Sequence, residues 1–251
     1  LSITQVKALS TANIQALTSS QVVGLTGDQV SAMSSSQLAA IDDADYSAMT
    51  SVQLNGLKNS QIQTLGTAKL AALTSDQVGV LTASQVSVLT SAQVVALAGD
   101  SVELGKLTAD QVKALSTAAV SGLTDNQASW LSSSQLESLS ANQVKALKTS
   151  QIAALTSAQV GKLTTSQMQV LSAAQASALT SNTTELGELS ADQIKSLTTA
   201  AIAALTTAQA DVLTATQAPG LTSKQVAALE TSDLVAITTT VIAALKTSQV
   251  A

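Results

Sequence analysis

Side chains able to do chemistry are few in this 251-residue chain, and the densest group is Asp42, Asp43 and Asp45. Three carboxylates this close could hold a calcium ion. A calcium loop, however, spreads its oxygen ligands around a glycine turn, and the segment I-D-D-A-D-Y-S-A (41–48) has no glycine. The same residues read more simply as an Asp helix cap with acids in the first turn, where the helix dipole favours negative charge. Tyr46 is then a core residue. Ser60 near Lys58 has the residue types of a Ser-Lys nucleophile pair, without an oxyanion motif to complete it. Asn182-Thr183-Thr184 matches the glycosylation acceptor tripeptide, which arises readily by chance in a Thr-rich chain. Trp130 is either an exposed anchor for a partner or a filler of a packing gap.

What is missing excludes more. With no Cys and no His, disulfides, Cys/His zinc sites and a Ser-His-Asp triad are impossible. The net charge is -5, every basic residue is Lys, and only Tyr46 and Trp130 could stack on a base, so nucleic-acid binding is not expected. No Gly-rich phosphate loop is present, and the carboxylates are scattered without an acid/base dyad. The expectation is a non-enzyme with no cofactor, no resident metal and no small-molecule substrate. Apolar residues make up 45% of the chain, yet no run approaches the roughly 20 needed to span a bilayer.

Apolar and polar residues instead follow an eight-residue period along the whole chain, L-[ST]-x-x-Q-[VI]-x-A, with positions lettered a to h. Of 31 a positions, 27 are Leu; position b is Ser or Thr in 24, and e is Gln in 22. The clearest run gives Leu73, Leu81 and Leu89 at a with Val78, Val86 and Val94 at f. The register slips by two residues between Leu97 and Leu107 and again between Leu179 and Leu189. Both ten-residue units end in similar text, E-L-G-K-L around Leu104 and Gly105 and E-L-G-E-L around Leu186 and Gly187. Residues 102–123 and 184–205 are identical at 13 of 22 positions, so a longer repeat overlies the octads. Three blocks follow, 1–106, 107–188 and 189–251, expected to form one continuous solenoid. The truncated third block and the start at Leu1 without Met suggest a segment of a longer repetitive protein.

Each octad carries two signatures of a helix start. Thr at b and Gln at e form a capping box, as in Thr74/Gln77, Thr82/Gln85 and Thr90/Gln93, and the a and f residues on either side form a hydrophobic staple. A continuous helix fits poorly: eight residues at about 100° each overshoot two turns, so the apolar stripe would wind around the rod. The pattern predicts one helix of about six residues per octad, followed by a bend. So short a helix is unstable alone, hence an all-α solenoid in which neighbours bury one another's apolar face. Small residues at h would let helices approach closely, and Gly105 and Gly187 suit a left-handed C-terminal position at a recurring corner. The alternatives are a β-solenoid, which Thr, Val and Ile favour but an apolar spacing of 5, 3, 5, 3 does not, and disorder.

The tandem L-T-x-x-Q-[VI]-x-A-L text resembles the Thr/Ala-rich repeat regions of very large secreted bacterial proteins, described as adhesin-like or surface-filament proteins. The resemblance covers essentially the whole chain. It implies export to the cell surface or medium and a structural role, as a stalk or as a fibre built by self-association. A second possibility is a binding module whose regular Thr-rich face recognises a repetitive ligand such as glycan or ice.

The octad assignment has a direct test. Replacing Leu by Ser at several consecutive a positions, for instance 73, 81 and 89, should unfold the protein cooperatively in a denaturant titration. The same number of changes at c or g should shift stability little, and equal effects at both sets would overturn the assignment.

Overall fold

The computed structural model describes residues 1–179 and 183–250, without the side chains of 183–185. Among the described residues there are 30 α-helices of four to seven residues, one 3-10 helix and no strand. Each octad gives one helix, so the architecture is the all-α stack of very short helices and not the β alternative. The helix occupies positions c to h, as in Ser75–Val80 and Ala109–Ala114. Positions a and b form the extended link: Leu81 has φ -57° and ψ 139°, and Thr82 has φ -73° and ψ 152°. In most octads the a-position N–H closes the helix by donating to the f carbonyl three residues back, as Leu89 does to Val86 at 3.2 Å.

Such a link needs no left-handed residue, and no described residue has positive φ. This corrects the role expected of Gly105 and Gly187. Both lie inside helices, Ser101–Lys106 and Thr183–Glu188, with open space where a Cβ would project. At the ten-residue unit that begins with Leu97, the preceding helix Ser91–Leu97 runs on through the a position. Ala98 and Gly99 are inserted ahead of Asp100, which caps the next helix by accepting from the N–H groups of Val102 and Glu103. Leu104 then takes the f role and is fully buried.

The chain divides into two compact units, residues 1–123 and 124–251. Within each, a helix packs against the third helix further along: Gly27–Ala32 on Ser51–Gly56 and Ser91–Leu97 on Thr117–Gly122 in the first, Thr149–Ala153 on Ala173–Leu179 in the second. The core is the a and f side chains. Leu73, Val78, Leu81, Val86, Leu89 and Val94 are all buried, as are Leu104 and Leu186. Asp45 and Tyr46 occupy e and f of their octad, and Tyr46 is fully buried with its hydroxyl donating to the Leu38 carbonyl at 2.8 Å. Burial, and after it the charge of Asp43, pushes the Tyr46 phenol well above its ordinary range.

Small residues at h have the expected cause. The c position of one turn lies under the h position of the next. A Cβ added to Gly56 would sit 2.7 Å from the Gly27 carbonyl oxygen, and one on Gly220 would sit 2.2 Å from that of Ala191. Where both positions carry hydroxyls, Thr64 donates to Ser35 at 3.0 Å. Pro219 makes its octad irregular: turns and the 3-10 helix Ala218–Gly220 replace the α-helix. Among the described residues no helix is long and apolar enough to cross a membrane.

Two glycine substitutions should therefore have opposite signs. Gly56→Ala must displace a backbone carbonyl and should destabilise by about 1–3 kcal/mol. Gly105→Ala enters open space inside a helix and should stabilise by about 0.5–1 kcal/mol. Chemical denaturation of the two variants measures both.

Candidate functional site

A six-residue helix leaves most of its backbone unpaired, because the first four N–H groups and last four carbonyls have no partner within it. The b and e residues answer the first half of that problem. At Thr74, the hydroxyl accepts from the Gln77 N–H at 3.3 Å, while Gln77 Oε1 accepts from the Thr74 N–H at 2.7 Å. Thr82/Gln85 and Thr90/Gln93 repeat the box, with Oε1 accepting at 2.9 Å in both. Where b is Lys58, which cannot accept, the Gln61 half of the box remains at 2.7 Å.

The other end of the same amide answers the second half. Gln77 Nε2 donates to the carbonyls of Tyr46 at 2.9 Å, Ser47 at 3.1 Å and Met49 at 2.7 Å. Those are the f, g and a carbonyls at the end of a helix one turn earlier. Gln85 reaches Leu54 and Leu57 at 2.7 and 2.9 Å, and Gln93 reaches Ile62 and Leu65 at 3.0 and 2.9 Å. In the second unit Gln159 reaches Ala128 and Leu131, Gln167 reaches Leu136 and Leu139, and Gln225 reaches Ile194 and Leu197. The separations are 31 and 28 residues each time, so one superhelical turn takes between three and four octads. All these glutamines are buried, and among the described residues no buried side-chain nitrogen or oxygen lacks a partner. The result is a ladder of amides along each unit.

Crossing a ten-residue unit lengthens the rung by two residues and leaves its partners in place. Gln111 reaches Leu81, 30 residues back, and Gln193 reaches Leu163, also 30 back. The spacing returns to 31 and 28 at Gln217. The longer units are therefore slack in the link, and the ladder runs on past them.

Where e carries a charged side chain in an octad, that side chain pairs with the c residue one turn earlier. Lys69 is buried and its Nζ donates to the carbonyl of Ile41, 28 residues back, which is the a-position acceptor of an ordinary rung. It also pairs with Asp43 at c, 3.1 Å away, and lies 5.0 Å from the centre of the Tyr46 ring, where a cation is attracted by the ring face. Asp45 cannot donate; it accepts instead from the Ser19 hydroxyl at 2.5 Å. Asp233 does the same with Thr207 at 3.3 Å. All three e–c pairs are 26 residues apart.

This places the acidic cluster. Asp43 and Asp45 are committed to different partners, Lys69 and Ser19. Asp42 stands at the cap position, although its side chain makes no capping hydrogen bond. Among the described residues no group of three or more His, Cys, Asp or Glu is arranged to hold a metal ion. Lys58 and Ser60 are both exposed. Trp130, the last residue of Asp125–Trp130, is half-buried. Asn182 lies outside the described residues. The capping boxes were legible in the sequence, but the rung to the preceding turn was not anticipated. Its signal was there: a cap accepts Glu as well as Gln, yet no eight-residue unit has Glu at e. A side chain that both accepts and donates accounts for the preference for Gln over Glu there.

Stacks of similar short helices, held within each unit by a repeating polar ladder, define the chain as a tandem-repeat protein. A family model described as the ALTTAQ repeat matches residues 1–35, 131–165 and 226–251. No curated protein matches the sequence.

Capping and laddering separate experimentally at Gln85. Gln85→Glu keeps an acceptor for the Thr82 N–H but loses the donor and buries a carboxylate against two carbonyls. At neutral pH it should destabilise by about 2–4 kcal/mol, more than Gln85→Leu. Burial raises the folded-state pKa of the new acid above its unfolded value of about 4.3. Stability lost at neutral pH should then return as pH falls through that folded value, whereas the Leu variant should show no such recovery. Denaturation at several pH values reads both.

Proposed function

We propose that the chain is a non-catalytic structural segment of a long extracellular bacterial surface protein, serving as a stalk or as a unit of a fibre. The observation that carries this reading is where the polar chemistry goes. The recurrent Ser/Thr and Gln side chains at b and e are engaged within the stack as caps and rungs. The polar residues at d and g vary from octad to octad, while c is Ser or Thr in 18 of the 29 octads. A protein so built has length and regularity as its product. The absence of Cys, the low charge content and the resemblance to secreted repeat regions support an extracellular setting.

Antibodies raised against the purified chain should label intact, unpermeabilised cells of the source organism, or the filaments they shed. Labelling that appears only after permeabilisation would overturn the extracellular assignment.

A further inference from the structure

One glutamine serves two helices, so an octad without it leaves a group unpaired on both. Alanine stands at e in two octads, at Ala119 and Ala201, each the second octad after a ten-residue unit. Across those units Gln111 reaches Leu81 and Gln193 reaches Leu163, both 30 residues back. The same register sets Ala119 opposite Leu89 and Ala201 opposite Leu171, and a methyl group has nothing to offer either carbonyl. Half of each cap survives. The Ser116 hydroxyl accepts from the Ala119 N–H at 3.0 Å, and the Thr198 hydroxyl from the Ala201 N–H at 3.1 Å. The Ser116 and Thr198 N–H groups, which a glutamine oxygen would serve, have no partner among the described residues. The Leu89 and Leu171 carbonyls, which its nitrogen would serve, have none either, and both residues are buried.

Packing at these two joints is otherwise ordinary. Ala119 and Ala201 are fully buried, as are Val120 and Ile202 beside them. At the first joint the Ser91 hydroxyl donates to the Ala118 carbonyl at 2.6 Å. Apolar contact is therefore kept while the polar tie is lost. The ten-residue unit ahead adds to the loss. Its e residue is Glu103, whose carboxylate accepts from the Asp100 N–H at 2.9 Å, and no described donor reaches the Leu73 carbonyl 30 residues back. Of the successive positions Glu103, Gln111 and Ala119, only Gln111 makes a rung, whereas Gln77, Gln85 and Gln93 all do. The order Glu, Gln, Ala recurs at 185, 193 and 201, with the side chain of Glu185 outside the described residues.

We propose that these two joints are opening points built into the stack, where octads 115–122 and 197–204 part from the preceding turn more readily than octads with rungs on both sides. An unpaired buried carbonyl costs the closed joint free energy, and water relieves that cost when the joint opens. A helix this short does not persist once its neighbour is gone, so parting exposes its amides to solvent. The ladder on either side stays shut. Such opening is a property of the purified chain, whatever its cellular setting.

Amide hydrogen exchange, read by mass spectrometry and corrected for intrinsic rates, tests it. Two helices with rungs on both sides serve as references. Ser51–Gly56 has Gln53 on Leu25 and Gln85 on Leu57; Ala191–Ser196 has Gln193 on Leu163 and Gln225 on Leu197. Protection of Thr117–Gly122 and Thr199–Ala203 should be lower than in the references by about tenfold or more. Ala119→Gln restores the amide and should raise protection of Thr117–Gly122 about tenfold while leaving Thr199–Ala203 unchanged. Ala119→Leu adds similar volume without a donor and should not raise it. In the reverse direction, Gln53→Ala should bring Ser51–Gly56 down to the level of Thr117–Gly122. Equal protection of all four helices in the wild-type chain would overturn the proposal. So would a Gln53→Ala variant whose helix stays as protected as before. An Ala119→Gln variant with no gain, or an Ala119→Leu variant with the same gain, would overturn it as well, since the rung would then not be what the joint lacks.

Discussion

The hydrogen-bonding demand of a six-residue helix governs the rest of this structure. A long helix hides most of its backbone polar groups within itself; a helix this short leaves nearly as many orphans as it satisfies. Burying it is possible only if something else supplies partners at both ends, since a dry unpaired carbonyl or N–H costs about 1–3 kcal/mol. The e-position glutamine does so for two helices at once. Its oxygen serves the start of its own helix and its nitrogen serves the end of a helix one turn earlier. The stack cannot be formed from caps alone, because the carbonyl ends would remain unpaired. Nor can it be formed from apolar contact alone, because Leu and Val bring those same carbonyls into the dry interior with them.

The exceptions at e reinforce the point. If the position served only as a cap, Asp, Lys and Gln would be interchangeable wherever the cap tolerated them. Instead the three charged departures within octads are each met by a complementary group 26 residues earlier: a hydroxyl for Asp45 and Asp233, a carboxylate for Lys69. Asp43 reads from its neighbours in sequence as a first-turn acid, with a metal ligand only the weaker alternative, but its significant neighbour is Lys69. The local text I-D-D-A-D-Y-S-A is unusual because it is half of a two-turn arrangement. Lys69, on the next turn, is the other half, and its stem and charge lie against the fully buried Tyr46.

Much of the local structure could be read directly from the chain. Helix starts, helix length, the buried a and f positions and the small h residues all follow from interactions within about five residues, or from volume. The period of the superhelix could not be read, because it depends on the angle that each a–b link imposes between successive helices. That angle is set by backbone torsions that many residue pairs adopt equally well. Hence the pairing of a helix with the third one along, and the rungs at 28 and 31 residues, have no signature in any single octad. The misjudged glycines have the same origin. Gly105 and Gly187 suggested left-handed caps because helices commonly end that way. Here the helix ends by passing into an extended residue, a geometry open to any side chain, and the register change is absorbed two residues before the helix begins.

A stack built this way distributes its stability turn by turn. Each turn depends on its immediate neighbours through amide rungs and Leu/Val contacts, and no contact described within a unit reaches further than the adjacent turn. Length can therefore change by whole octads, or by two extra residues in a link, without redesigning anything distant. That tolerance is visible within the chain itself, where blocks of 106 and 82 residues carry similar opening text and a similar ten-residue ending. The freedom of the repeat to vary in number, set against the rigidity of the pattern within each octad, argues that what this sequence conserves is the turn-to-turn joint, and that extent is the property built from it.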